Sequence, residues 1–401
     1  MRVLLGVSAG IAAYKSAEIV REFVKRDDEI QCVMTEGARE FIRPMTLQVL
    51  SENRVGTEIF DPTYESEIGH IELARWPDVV LVAPATADLM GRMANGLGDD
   101  LLTTVVLATE SPVVVAPAMN TQMWRHPIVQ QNVRKLDEVG YRIVDPDEGE
   151  LACKEVGPGR MPDPPVLVEE VIGAIAPNTL EGKRVLVTAG PTHEHIDPAR
   201  LLTNPSSGKM GYAIAKVARR LGAETTLVSG PTELLPPMGV ELVEVESAQE
   251  MYDAVMARAD HMDFICKAAA VADWRPKQAS ETKVKKEEMS ASLELERNPD
   301  ILAELGETYG VGGNEKGPIL IGFAAETADV VEQGRAKLAG KKAHLLVANQ
   351  IGGDASAFGA DTTRAHIITE SDSATEYGPI TKEELAEHIW RQAASYAQAV
   401  A

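Results

Sequence analysis

At 401 residues the chain has room for two domains of roughly 150–200 residues, and its 44% hydrophobic content with 32 Gly and 23 Pro excludes a mini-protein and wholesale disorder. Its 39 basic and 61 acidic residues leave a formal net charge of −22, which argues against nucleic acid or anionic lipid as a partner. The longest apolar runs, 79–85 and 113–118, fall far short of the roughly 20 residues that span a bilayer, so no membrane segment is expected. The N-terminus lacks the parts of a signal peptide, and three well-separated cysteines without a C-x-x-C pair read as reduced thiols; both point to a cytoplasmic protein.

In chain order, strands alternate with amphipathic helices, the pattern of a parallel α/β sheet, and the pattern occurs twice. A strand opens at Arg2, the turn Ser8-Ala9-Gly10 leads into a helix over 11–25, and a strand over 31–34 ends at Thr35. His70 stands near a helix start. A buried strand ends at Ala85 and Thr86, and another leads to Pro117-Ala118-Met119-Asn120, while Cys153 sits in a glycine-framed loop. The prolines of 158–177 suit a boundary, with a helix over 166–175, and the expected division is 1–177, a linker 178–182, and 183–401. The second half repeats the scheme with a strand from Arg184, a loop through Gly208, a helix over 209–221 and a strand over 225–229. The polar stretch 275–297 reads as a mobile strap, and the tail from Thr381 has helical spacing at Leu385, Ile389 and Trp390 but no assigned chemistry.

The first loop lacks the three-glycine dinucleotide fingerprint and the chain has no G-x-x-x-x-G-K-[ST] run, which disfavours a nicotinamide enzyme and a P-loop phosphotransferase. A Ser-Ala-Gly turn before a helix can hold an anion, although by itself it reads as a plain tight turn. Asn120, just past a strand end, can either donate to a carboxylate or simply cap a helix beside core methionines. His193-Glu194-His195 reads as a solvated loop, because the spacing supplies no third metal ligand.

Gly10-Ile11-Ala12-Ala13-Tyr14-Lys15, His70, Pro117-Ala118-Met119-Asn120 and Ala152-Cys153 together resemble the flavin-dependent cysteine decarboxylases. Thr188-Ala189-Gly190-Pro191-Thr192, the run from Asn204 to Gly211, Ala268 to Trp274, Lys283-Val284-Lys285-Lys286 and Gly322 to Thr327 resemble phosphopantothenate-cysteine ligase. The whole chain is thus similar to the bifunctional phosphopantothenoylcysteine decarboxylase/phosphopantothenate-cysteine ligase family of coenzyme A biosynthesis. The resemblance implies two Rossmann-like parallel-sheet domains, a flavodoxin-like flavoprotein domain and a nucleotide-binding ligase domain. It implies FMN held by Ser8, Gly10, Thr35, Ala85 and Thr86. For the decarboxylase it implies Asn120 on the substrate carboxylate, His70 assisting proton transfer and Cys153 as final proton donor. For the ligase it implies Mg2+ with CTP, bound by Lys267, Ala268, Ala269, Asp273, Lys283, Arg297, Asn298, Pro299, Phe323, Lys337 and Lys341. Lys283 would meet charge developing at the α-phosphate and Asn204 would hold the acyl-cytidylate. Trimeric decarboxylase and dimeric ligase contacts would combine into a dodecamer. The competing readings are a non-catalytic flavin- or nucleotide-binding subunit and an NAD(P)-dependent reductase.

Overall fold

The computed structural model describes residues 1–59, 69–152, 154–285, 292–313, 317–350, 361–370 and 373–400, and these divide into two compact units, Met1–Ala176 and Pro177–Ala401. The first unit holds a parallel sheet of β1 (Arg2–Val7), β2 (Glu29–Met34), β3 (Val55–Gly56), β4 (Val79–Ala85), β5 (Val113–Pro117) and β6 (Arg142–Ile143) in the order 3-2-1-4-5-6. β1, β4 and β5 are near-continuous Val/Leu/Ala runs because helices cover both faces of a parallel sheet. Side chains alternate between the two cores: Leu5 packs with Phe23 and Leu167, whereas Leu4 packs with Leu89 and Val105. An antiparallel hairpin, β7 (Asp147–Glu150) and β8 (Val156–Arg160), follows the sheet.

The second unit repeats this order with β13 (Glu241–Glu244), β12 (Glu224–Ser229), β9 (Arg184–Ala189), β14 (Phe264–Lys267), β17 (Ile319–Glu326) and β18 (Leu345–Gln350), all parallel, and extends it with antiparallel β19 (Thr362–Thr369) and β20 (Ala374–Thr381). Two ribbons stand apart from the sheet: β10 (Glu194–Asp197) with β11 (Arg200–Leu202), and β15 (Trp274–Pro276) with β16 (Leu295–Arg297). Both sheets are doubly wound as expected, and the first has the Rossmann strand order, flavodoxin-like only in that wider sense.

Several local expectations change. The helix over 11–25 divides into a 3-10 turn, Ile11–Lys15, and an α-helix, Ser16–Val24. Most of the prolines mark no boundary: Pro158 lies in β8, and Pro164 and Pro165 begin the helix Pro164–Ile175, where a missing N–H costs nothing. Leu180 is buried and donates its N–H to Leu221 O, so the expected linker residue is packed into the second unit. The ends of the 275–297 strap pair as β15 and β16; residues 286–291 lie outside the described residues. His193-Glu194-His195 is not a solvated loop. It enters β10, where Glu194 is buried and accepts from Ala248 N at 2.9 Å, while His195 Nε2 meets Glu246 at 2.7 Å. Among the described residues no helix is long and apolar enough to cross a membrane.

Candidate functional site

Each sheet reverses strand order beside its central strand, and the carboxyl ends there form the natural crevice of a doubly wound fold. In the first unit that crevice lies between β1 and β4. Ser8 is buried, and its hydroxyl donates to Pro84 O at 2.7 Å while accepting from Thr86 N at 3.1 Å, tying the two strand ends together. Gly10 precedes the Ile11–Lys15 turn, which no side chain caps. Thr35 is buried at the end of β2 and accepts from Ala38 N; Ala85 is buried at the end of β4; and Thr86 caps the helix Ala87–Ala94 by accepting from Leu89 N. The five residues expected to hold a flavin therefore follow three neighbouring strands at one edge. The thiol of Cys32, inside β2, is buried and pushed up to about 12 by that burial, as suits a packing residue.

Asn120 follows β5 and is the N-cap of Thr121–Arg125, its Oδ1 accepting from Met123 N at 2.8 Å, while its Nδ2 lies 3.5 Å from Glu155. The β7–β8 hairpin is seated against this loop: Gly159 has φ +146, and a Cβ there would fall 2.1 Å from Met119 O. Thr121 Oγ1 is buried without a hydrogen-bond partner beside the same hairpin. The hairpin's tip contains Cys153, which lies outside the described residues. His70 is the second residue of the helix Gly69–Arg75 and is half-buried.

In the second unit the strand ends open into a cavity of about 910 Å3. Its wall is the segment 268–273, stapled from three sides: Ala269 N donates to Thr188 Oγ1 at 3.1 Å, Ala272 N to Thr192 Oγ1 at 3.0 Å, and Asn204 Nδ2 donates to the carbonyls of Ala270 and Val271. Residues Asn204, Lys267, Ala268, Ala269 and Asp273 line it from this side. Arg297, Asn298, Pro299, Phe323, Lys337 and Lys341 of the expected set line it as well. Lys283 is not brought to it. The strap beside Lys283 is pinned by Val284 N donating to Asp197 Oδ2 and by Arg200 donating to Val284 O, which leaves Lys283 exposed.

The cavity is strongly cationic. Besides Lys267, Lys337 and Lys341, it is lined by Lys209, which pairs with Asp361 at 2.6 Å, and by Lys382, whose amine is held below its ordinary range by burial. Lys341 pairs with Asp300, the N-cap of the helix Ile301–Tyr309. Burial drives the Lys267 amine down to about 7, with Cys266 and Asp300 opposing the shift. Three polar atoms of lining residues are buried with no partner: Lys267 Nζ, Asn298 Oδ1 and Asn349 Oδ1. Unmade buried hydrogen bonds cost about 1–3 kcal/mol each, so a cavity wall holding three of them is prepared for a polar ligand. Lys382 and Asn349 went unassigned in the sequence. Lys382 begins the last helix, far from any motif, and Asn349 lacks a signal beyond its position at a strand end.

Both units match known protein families. The family model described as Flavoprotein matches residues 1–176, and that of the DNA/pantothenate metabolism flavoprotein C-terminal domain matches residues 180–396. The coenzyme A biosynthesis bifunctional protein CoaBC of Vibrio parahaemolyticus is 49% identical over 362 residues, 90% of this chain and 90% of the relative. The chain belongs to this bifunctional coenzyme A biosynthesis family. Its Bacillus subtilis member is 44% identical over 397 residues, 98% of this chain and 96% of that protein. A crystal structure of a CoaBC C-terminal domain is 45% identical to the part of this chain it covers, 55% of this chain and 99% of the solved one, with a TM-score of 0.47.

Proposed function

We propose that the chain carries out two consecutive steps: CTP-dependent joining of 4'-phosphopantothenate to cysteine, then FMN-dependent decarboxylation of the phosphopantothenoylcysteine to 4'-phosphopantetheine. Residues 1–177 carry the decarboxylase and 183–401 the ligase, in the cytoplasm. The observation that carries the reading is the second cavity, a space large enough for a nucleoside triphosphate that is lined by cationic side chains and by three residues with an unpartnered buried polar atom.

A carboxylate cannot be displaced directly by an amine at neutral pH, so the ligase first makes a leaving group. The pantothenate carboxylate attacks the α-phosphate, pyrophosphate departs, and the cysteine amine then displaces CMP. Lys337 and Lys341, on one face of the helix Val330–Gly340 and its C-cap, hold phosphate oxygens. Asn204 holds the acyl-cytidylate through the segment it staples, and Lys283 meets the charge growing at the α-phosphate. Among the described residues no group of three or more His, Cys, Asp or Glu could hold a metal ion, and Mg2+ is proposed to travel with the triphosphate, held by its oxygens.

The first crevice fits a flavin, because small residues and hydroxyls follow three neighbouring strands there. Bound FMN supplies the electron sink that loss of CO2 from a cysteine carboxylate requires. Ser8, Gly10, Thr35, Ala85 and Thr86 hold it, Asn120 orients the substrate carboxylate, His70 assists proton transfer, and Cys153 returns the last proton, a thiol's ordinary value of about 8.5 being near neutrality. The assembly is a dodecamer in which three-fold contacts of the first unit and two-fold contacts of the second close on each other. The test is a coupled assay: purified protein should be yellow, release pyrophosphate from CTP with 4'-phosphopantothenate alone, and release CO2 only after cysteine is added. Colourless protein that takes up no FMN, or no pyrophosphate with any nucleotide, rejects the corresponding half.

A further inference from the structure

A buried cation in the first unit ties the flavin crevice to the β7–β8 hairpin. Lys15 ends the 3-10 turn Ile11–Lys15, which starts from Gly10, and the residue is only 9% exposed. Its ammonium donates to Met161 O at 3.0 Å and to Asp163 Oδ1 at 2.7 Å, 146 and 148 positions along the chain. The next residue, Ser16, donates to Ala83 O at 3.2 Å and so fixes the same turn to β4. Asp163 is the N-cap of the helix Pro164–Ile175, where an aspartate ordinarily accepts from the first N–H groups of its own helix. Here it makes no cap hydrogen bond, and its carboxylate goes to Lys15 instead. Burying an ammonium costs free energy that an apolar side chain of similar length avoids, so a lysine in this place is explained by the two oxygens it grips and not by packing.

Those oxygens belong to the stretch by which the chain leaves the hairpin. Two residues before Met161, Gly159 O accepts from Met119 N at 3.0 Å, and a Cβ on Gly157 would lie 2.8 Å from Thr121 Oγ1, so β8 meets the Asn120 loop on both sides of Asn120. The backbone from 157 to 161 thus runs from the Asn120 loop to the flavin turn, and Lys15 makes the contact at its far end. We propose that Lys15 is a positioning residue for the decarboxylation: by gripping Met161 O and Asp163 it sets where the Asn120 loop stands relative to the flavin turn. The assignment rests on the flavin reading of this crevice and deepens it. Lys15 acts through the backbone of β8 and not on the reacting atoms. The bond to Met161 O is buried, whereas the Asp163 side chain is 60% exposed, so the carbonyl arm of the grip is the stronger one.

Amide hydrogen exchange on the full-length protein without added FMN reads the tether directly. In Lys15→Met, similar in length but without a donor, peptides covering 117–123 and 156–163 should exchange about tenfold faster than in the wild type, while peptides of β1 and β2 stay unchanged. Kinetics on the FMN-loaded protein give the second readout. Lys15→Met should keep its FMN affinity and its KM for phosphopantothenoylcysteine within about threefold, yet release CO2 more slowly per bound flavin by roughly tenfold or more, the scale of a small misplacement of reacting groups. Asp163→Ala, which leaves the bond to Met161 O in place, should show both effects at smaller size, and the double variant should be no slower than Lys15→Met, because the two side chains act as one grip. Unchanged exchange over 117–123 overturns the proposal, as does an unchanged rate per bound flavin, since Lys15 would then be a contact of the fold only; additive losses in the double variant do the same. If Lys15→Met does not fold, unchanged exchange in Asp163→Ala overturns it. Wild-type protein that holds FMN but releases no CO2 from the substrate rejects the decarboxylase reading itself, and the exchange measurement still judges the tether.

Discussion

The two lysines of the proposed ligase chemistry differ in setting: Lys283 is exposed and Lys267 is buried. Lys283 is exposed and does not line the cavity, so the proposed contact with the α-phosphate requires it to move to the cavity once CTP is bound. Lys283→Gln should leave CTP affinity within about twofold while pyrophosphate release falls by roughly 10²-fold or more, measured by calorimetry and a phosphate-release assay. Equal loss of binding and release would make it a binding contact only. Lys267 behaves oppositely. Its amine is near half neutral at pH 7, held there by burial against the opposing Cys266 and Asp300, and a ligand acceptor favours the ammonium form. CTP binding at pH 8 should therefore take up a proton, seen as a binding enthalpy that changes with the ionisation heat of the buffer, and Lys267→Met should abolish that uptake. That Asn204 and Asp273 would share one cavity was legible from the ordered motifs that hold them. The depth of Lys267 was not, because burial of a strand-end lysine is decided by which helix start closes over it.

At the scale of elements, one close approach sets the rim of the second cavity. The helix Ile301–Tyr309 packs so tightly on the end of Val330–Gly340 that a Cβ on Gly306 would lie 1.9 Å from Lys341 O. The contact is with backbone, which cannot rotate away. Gly306→Ala should therefore force the helices apart, lowering stability by about 1–3 kcal/mol and loosening the Asp300–Lys341 pair at the rim, so that CTP affinity falls with the melting temperature. A variant with unchanged melting behaviour would show that the helix ends have slack. In the first unit the β7–β8 hairpin packs against the Asn120 loop, and Cys153 falls between its two strands in the sequence; Cys153→Ser should keep FMN and still release CO2 yet fail to accumulate 4'-phosphopantetheine. Normal product formation would remove Cys153 from the role of proton donor. Alternating strands and helices were readable from apolar runs such as 79–85, whereas the β10–β11 and β15–β16 ribbons were not. Their strands are only three or four residues long, and in β10 the buried residues are the carboxylates Glu194 and Asp197, so no period-two apolar alternation develops.

For the molecule as a whole, two sheets with the same strand order place a crevice in each unit. Residues 1–176 expressed alone should fold and bind FMN, and the full chain in solution should have the mass of twelve copies by light scattering; a fully active monomer would defeat the proposed assembly. The net charge of −22 disfavours self-association in low salt, so the twelve-fold mass should become more complete as salt is added from the millimolar range. The helix Lys382–Val400 has a further consequence. Its first residue lines the nucleotide cavity, and its Trp390 is buried with the indole N–H donating to Ile214 O at 2.9 Å, more than 170 positions earlier in the chain. During synthesis the flavin crevice can be completed while the ribosome is still making the second unit, but the nucleotide cavity gains its last wall only after residues beyond 382 have left the exit tunnel. A nascent or prematurely terminated chain can thus carry a finished first unit and an open second one, which orders the two activities in time by the direction of translation.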